Sequence, residues 1–210
     1  MADQVNAMPL ATGDWAGGTF PYAVGHKKLG MWLFILSDSL TFSAMLVAYS
    51  YVRVATAAWP TPFHFFPSVV TATVMTLVLL SSSLTMVFAV AAAKHGDRRG
   101  AVRQLCFTML FGLTFIVLHL NEWGVLIREG VRLWQNPWGV PLFGATFFTL
   151  TGLHMFHVFT GVGYLAVVAV GFGRGRFTDE DVEVSGLYWH FVDLVWMFIF
   201  PLVYLLSVKG

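Results

Sequence analysis

The stretch Val69–Ala93, VVTATVMTLVLLSSSLTMVFAVAAA, contains no charged side chain. A hydrocarbon core of roughly 30 Å takes about 20 helical residues to cross. A segment of this length and hydropathy must satisfy its own backbone in lipid, so it reads as a helix. Four further stretches read the same way: Leu29–Val52, Leu105–Ile127, Leu142–Phe172 and Leu187–Val208. Asn121 and Glu122 interrupt Leu105–Ile127, while Leu142–Phe172 is long enough to tilt or protrude. The chain is therefore expected to be an all-α membrane protein. A polar leader, 1–28, precedes one domain, 29–208, a bundle of five transmembrane helices.

Composition agrees. The 210 residues are 57% hydrophobic and 11% charged, with a mean hydropathy of +0.72. A soluble domain carries about 25% charged residues, enough to cover its surface in water. The net charge of +1 gives no reason to expect nucleic acid. The single cysteine, Cys106, excludes an internal disulfide framework and a thiolate metal cluster. The first apolar run follows a mixed polar leader and exceeds the core of a secretory signal, so no such signal is expected.

The connections are well punctuated. Trp59-Pro60-Thr61-Pro62 and Pro67 break the chain after the first run, and Lys94–Gly100 makes a charged turn after the second. Asn136-Pro137 and Pro141 follow the third. Gly173–Arg176 and the acidic run Asp179, Glu180, Asp181 and Glu183 form the last connection, expected as a solvated loop. Lys27, Lys28, Lys94, Arg98, Arg99, Arg103, Arg174 and Arg176 fall on one side; Arg53, Arg128, Arg132 and Lys209 fall on the other. The richer side is expected to be cytoplasmic, which places the N-terminus inside and the C-terminus outside. Trp32, Trp123, Trp134, Trp138, Tyr188 and Trp189 fall near the expected interfaces, where amphipathic rings anchor.

Ionisable groups at membrane depth cost roughly 2.5–3.5 kcal/mol on insertion scales, so each needs a reason. They are Asp38, His119, Glu122, His154, His157, His190 and Asp193. Counted at 1.5 Å per residue from the cytoplasmic edges of the apolar runs, Asp38 lies about 14 Å deep, Asp193 about 9 Å and His190 about 5 Å. His119, Glu122, His157 and His154 lie about 21–27 Å deep. Two layers are thus expected, Asp38 and Asp193 with His190 in one, Glu122 with three histidines in the other. These groups could bond one another and fix the bundle's register. Alternatively, His119 with His154 or His157 could ligate a b-type haem, as in a membrane cytochrome b anchor. A proton pathway would need a polar chain between the layers, which stand roughly 8 Å apart.

Two motifs carry a family resemblance. Phe147–Val158, FFTLTGLHMFHV, resembles the TGxHxxHV signature of subunit III of the haem-copper terminal oxidases. Tyr188–Trp196, YWHFVDLVW, resembles that family's YWHFVDxVW signature, in the same order and at the same spacing. Gly30-Met31-Trp32 with Ser37-Asp38, and the pair Glu122-Trp123, extend the likeness over roughly Lys28 to Leu206. Longer members have seven helices, the first two forming a lipid cleft; this chain resembles the short, five-helix form.

The resemblance implies a multi-pass subunit in a bacterial cytoplasmic membrane, part of a proton-pumping complex that reduces oxygen with electrons from cytochrome c or quinol. It implies no cofactor in this chain, with haem and copper in subunits I and II. It also implies a role in flanking subunit I, binding phospholipid and sustaining proton uptake and turnover stability. Further candidate partners are a subunit IV and a quinol-oxidising supercomplex; a nitric oxide reductase is an alternative host. Asp38, Glu122, His154, His157, His190 and Asp193 would form the polar interior. Asp38 matches the family's carbodiimide-reactive acid and is expected to be held neutral, donating a hydrogen bond within the bundle.

Overall fold

Each apolar run falls on a helix, and the first, third and fourth helices extend beyond their runs at both ends. The computed structural model describes residues 25–208. Helices α1 (His26–Ala55), α2 (Val70–Lys94), α3 (Arg98–Arg128), α4 (Pro141–Gly173) and α5 (Asp179–Ile199) follow one another, and all five are long and apolar enough to span a membrane. Most of the leader, 1–24, lies outside the described residues.

The helix starts differ from the apolar edges because polar residues cap them. Asp97 accepts the backbone N–H of Gly100 at 2.9 Å and starts α3 seven residues before Leu105. Thr178 and Asp181 form a reciprocal capping box that starts α5 eight residues before Leu187. The run Asp179–Glu183 is therefore the first turns of α5 rather than a loop. Three carboxylates in that first turn also suit the positive end of the helix dipole. These turns are tied to other helices: Lys27 reaches Asp181 at 2.5 Å, while Lys28 and Lys94 meet Glu183 at 2.6 and 3.1 Å.

The other end of α5 is shaped by Pro201. Its missing N–H and its ring are incompatible with a regular α-turn. The helix widens into a π-turn over Phe200–Tyr204 and closes as a 3₁₀ turn over Leu205–Ser207. Arg53 of α1 donates to Ser207 Oγ at 2.7 Å and to the Leu206 carbonyl, fastening this end.

Helix α5 is the axis of the bundle. Half of its most apolar window is buried, against 6% for α1. Its large rings recur at Trp189, Trp196 and Tyr204, one stripe at seven- and eight-residue spacing. Each ring has a polar handle fixed to a neighbouring helix. Trp189 donates to Ser82 Oγ at 2.9 Å and Trp196 to Thr76 Oγ1 at 3.0 Å, both on α2. Tyr204 donates to Glu122 Oε2 on α3 at 2.8 Å.

Trp189 was expected at a membrane interface, yet it is 1% exposed. Its socket is made by glycines. A Cβ on Gly112 of α3 would stand 2.6 Å from Trp189 Cη2, and one on Gly161 of α4 would stand 3.1 Å from Cζ3. Close backbone approach through small residues is the usual way helices associate in lipid. Tyr188, the other ring expected at that interface, is also buried and donates to the His157 carbonyl at 3.0 Å. Trp134 by contrast is 75% exposed, as an interfacial anchor would be.

Candidate functional site

The buried polar groups form a seam through the middle of the bundle. Asp38 on α1 faces His157 on α4, Oδ2 to Nε2, at 3.0 Å. The other ring nitrogen, Nδ1, donates to the Leu153 carbonyl at 2.8 Å, since a carbonyl can only accept. This fixes the proton on Nδ1 and leaves Nε2 with a lone pair unless the ring is charged. A bare carboxylate against that lone pair would be repulsive. One proton therefore belongs between Asp38 and His157, whichever atom holds it. The contact is close but poorly aligned, because Oδ2 has no hydrogen bond of good geometry among the described residues.

Asp38 and His157 were assigned to different layers, and the structure joins them. Measured from the helix ends, Asp38 and His157 still differ by about 6 Å of rise, which their side chains span, while Asp193 moves by about 12 Å. Taken from the helix ends, Asp38 lies about 18 Å along α1, Asp193 about 21 Å along α5 and His157 about 24 Å from the end of α4. The polar first turns of α5 had hidden about 12 Å of helix. The two layers merge into one seam.

Asp193 and His190 do lie together, on one helix and linked through α2. Ser83 Oγ is 2.6 Å from His190 Nδ1, and the Asp193 carboxyl lies beside the same hydroxyl. Neither was expected to use Ser83. Asp193 Oδ1 has no partner among the described residues.

The remaining three groups diverge from expectation. Glu122 bonds Tyr204 rather than a histidine, and its Oε1 is unpartnered among the described residues. His119 stacks on Phe115, with centroids 5.6 Å apart and planes 17° apart. His154 stacks on Trp196 at 5.3 Å and 28°. Phe115 also stands edge-on to His154 at 5.7 Å, and Trp196 edge-on to His119 at 5.6 Å. Both imidazoles are fully buried with neither nitrogen partnered among the described residues. Tyr204 was missed by sequence reasoning, although the 189–196–204 spacing contains it.

Comparison with known proteins decides what this seam belongs to. The sequence model of the family described as Cytochrome c oxidase subunit III matches residues 13–208. The chain is 31% identical to cytochrome c oxidase subunit 3 of Alkalihalophilus pseudofirmus, over 88% of this chain and 89% of the relative. It is 32% identical to quinol oxidase subunit 3 of Bacillus spizizenii, over 87% and 88%. It is also 32% identical to cytochrome bo(3) ubiquinol oxidase subunit 3 of Pseudomonas putida, over 86% of each. The chain belongs to the cytochrome c oxidase subunit III family.

As a subunit III, it is an accessory subunit of a haem-copper oxidase, a multi-pass bacterial membrane protein in a complex with other oxidase subunits. Among the described residues, no group of three or more His, Cys, Asp or Glu side chains is arranged to hold a metal ion.

Proposed function

We propose that this subunit III is a non-redox brace on a proton-pumping oxygen reductase of the bacterial cytoplasmic membrane. It packs against subunit I, contacts subunit II and phospholipid, and supports proton uptake and turnover stability. Its N-terminus lies in the cytoplasm and its C-terminus outside. The electron donor, cytochrome c or quinol, is chosen by the other subunits. The observation that carries this reading is the packing of His119 and His154. Their rings are engaged by Phe115 and Trp196 rather than facing each other across a plane, so they serve the bundle's interior.

The Asp38–His157 pair has the role of joining α1, the least buried helix, to the rest of the bundle. Asp193 and His190 join α5 to α2 through Ser83 in the same way. The pairs Lys27–Asp181, Lys28–Glu183 and Lys94–Glu183 give the cytoplasmic end a mixed-charge surface beside which protons would enter the complex. Purification through a tag on this chain, with mass spectrometry of the co-purifying chains, tests the assignment. Recovery of haem-copper subunits I and II is expected; recovery of a nitric oxide reductase instead would refute the proposed host.

A further inference from the structure

A recess of about 550 Å³ opens where the α1–α2 and α3–α4 connections meet. Its walls include the indoles of Trp59 and Trp138, with His64 and Glu129 beside them. Both indoles pack edge-on against Phe143, at 5.6 and 5.7 Å, so one buried ring holds both walls in place. Glu129 is the only acidic side chain in the lining, and it makes no ion pair or side-chain hydrogen bond among the described residues. It is also the C-cap of α3, where the terminal carbonyls place the negative end of the helix dipole. Aromatic side chains, a carboxylate with no ion pair among the described residues and a helix C-terminus all suit a cation.

We propose that this recess binds the ammonium group of an ethanolamine phospholipid. The inference deepens the lipid contact proposed above and rests on it. A primary ammonium can donate to Glu129 while lying against the indole faces; a choline headgroup has no N–H to donate. The lipid source follows from the surroundings. Phe65 and Phe66 come directly after His64 and are 72% and 76% exposed, an apolar flank suited to acyl chains and not to water. The recess therefore presents a polar pocket beside an apolar wall, as a lipid at the membrane surface requires. With the N-terminus in the cytoplasm, it faces the outer leaflet.

The test uses the tagged complex in nanodiscs of mixed phosphatidylethanolamine, phosphatidylcholine and phosphatidylglycerol, transferred to detergent and weighed intact by native mass spectrometry. Wild type is expected to keep phosphatidylethanolamine preferentially, with retention falling of order tenfold in Glu129→Gln and Trp138→Ala. Trp138→Phe is expected to keep most of it. Preferential retention of the lipid supports the lipid over the free amine, and uptake of free ethanolamine by a complex that keeps no phosphatidylethanolamine overturns the lipid assignment. Equal retention in wild type and both disruptive variants overturns the site. So does carbodiimide cross-linking of Glu129 to a lysine of a co-purifying subunit, which would make the occupant a protein side chain. Failure of oxidase subunits to co-purify would instead contradict the brace reading, while lipid retention would still score the recess.

Discussion

Asp38 Oδ2 and His157 Nε2 stand 3.0 Å apart, linking α1, the helix least buried within the chain, to α4. His157 is oriented for this contact by its own helix, since Nδ1 donates to the carbonyl one turn back. The pair needs one proton to be attractive, and Asp38 is expected to hold it.

Infrared difference spectra of wild type and Asp38→Asn test where that proton sits. The band lost in the variant is expected to be a protonated carboxyl stretch. Loss of an ionised carboxylate stretch would put the proton on His157 instead.

Stability separates the same residue's shape from its bonding. Asp38→Asn keeps the volume and can donate its amide N–H to Nε2, so assembly is expected to survive. Asp38→Leu leaves a buried imidazole nitrogen unpaired, a loss of about 1–3 kcal/mol. Unfolding by graded detergent denaturation should therefore rank wild type close to Asn and well above Leu. Equal midpoints for Asn and Leu would show that the contact contributes nothing.

The Trp189 socket gives a second comparison. Gly112→Val forces atoms into a ring already 2.6 Å from the added Cβ and is expected to cost about 1–3 kcal/mol. Gly163→Ala lies on the same bundle with no atom within 4 Å of its new Cβ, and removing a helical glycine there is expected to be neutral or mildly stabilising. Similar losses in both would mean that glycine serves the helices in some way other than fitting Trp189.

The five helices were legible because a membrane span must be long, apolar and helical, and Val69–Ala93 meets all three conditions at once. The seam was less legible. Its residues could be named from their cost in lipid, but Asp38 and His157 were placed about 8 Å apart in depth. The side chains of that pair reach across most of that step; the larger error concerned Asp193 and His190, because the capping box of Thr178 and Asp181 extends α5 into what reads as an acidic loop. Hydropathy marks where lipid begins, whereas capping marks where the helix begins, and only the second sets side-chain levels. The same shift sent Trp189 to an interface when its glycine socket holds it inside. Ser83 was hidden for another reason: a hydroxyl acquires a specific partner only when the helix opposite is known.

Topology is open to direct measurement. From the division of Lys and Arg between the two sides, the N-terminus is expected in the cytoplasm and the C-terminus outside. Alkaline phosphatase fused after Lys209 is expected to be active, and fused within the Lys94–Gly100 turn to be inactive. The reverse pattern would invert the bundle and place the Glu129 recess on the cytoplasmic leaflet.

This chain is expected to brace an oxidase without taking part in electron transfer. The most direct measurement is oxygen consumption and haem content of the complex purified with and without it. Removal is expected to leave the full complement of haem and copper and an initial turnover rate near that of the intact complex, followed by faster loss of activity during turnover. Loss of a stoichiometric haem on removal, together with a Soret band on the isolated chain that disappears in His119→Ala or His154→Ala, would contradict it.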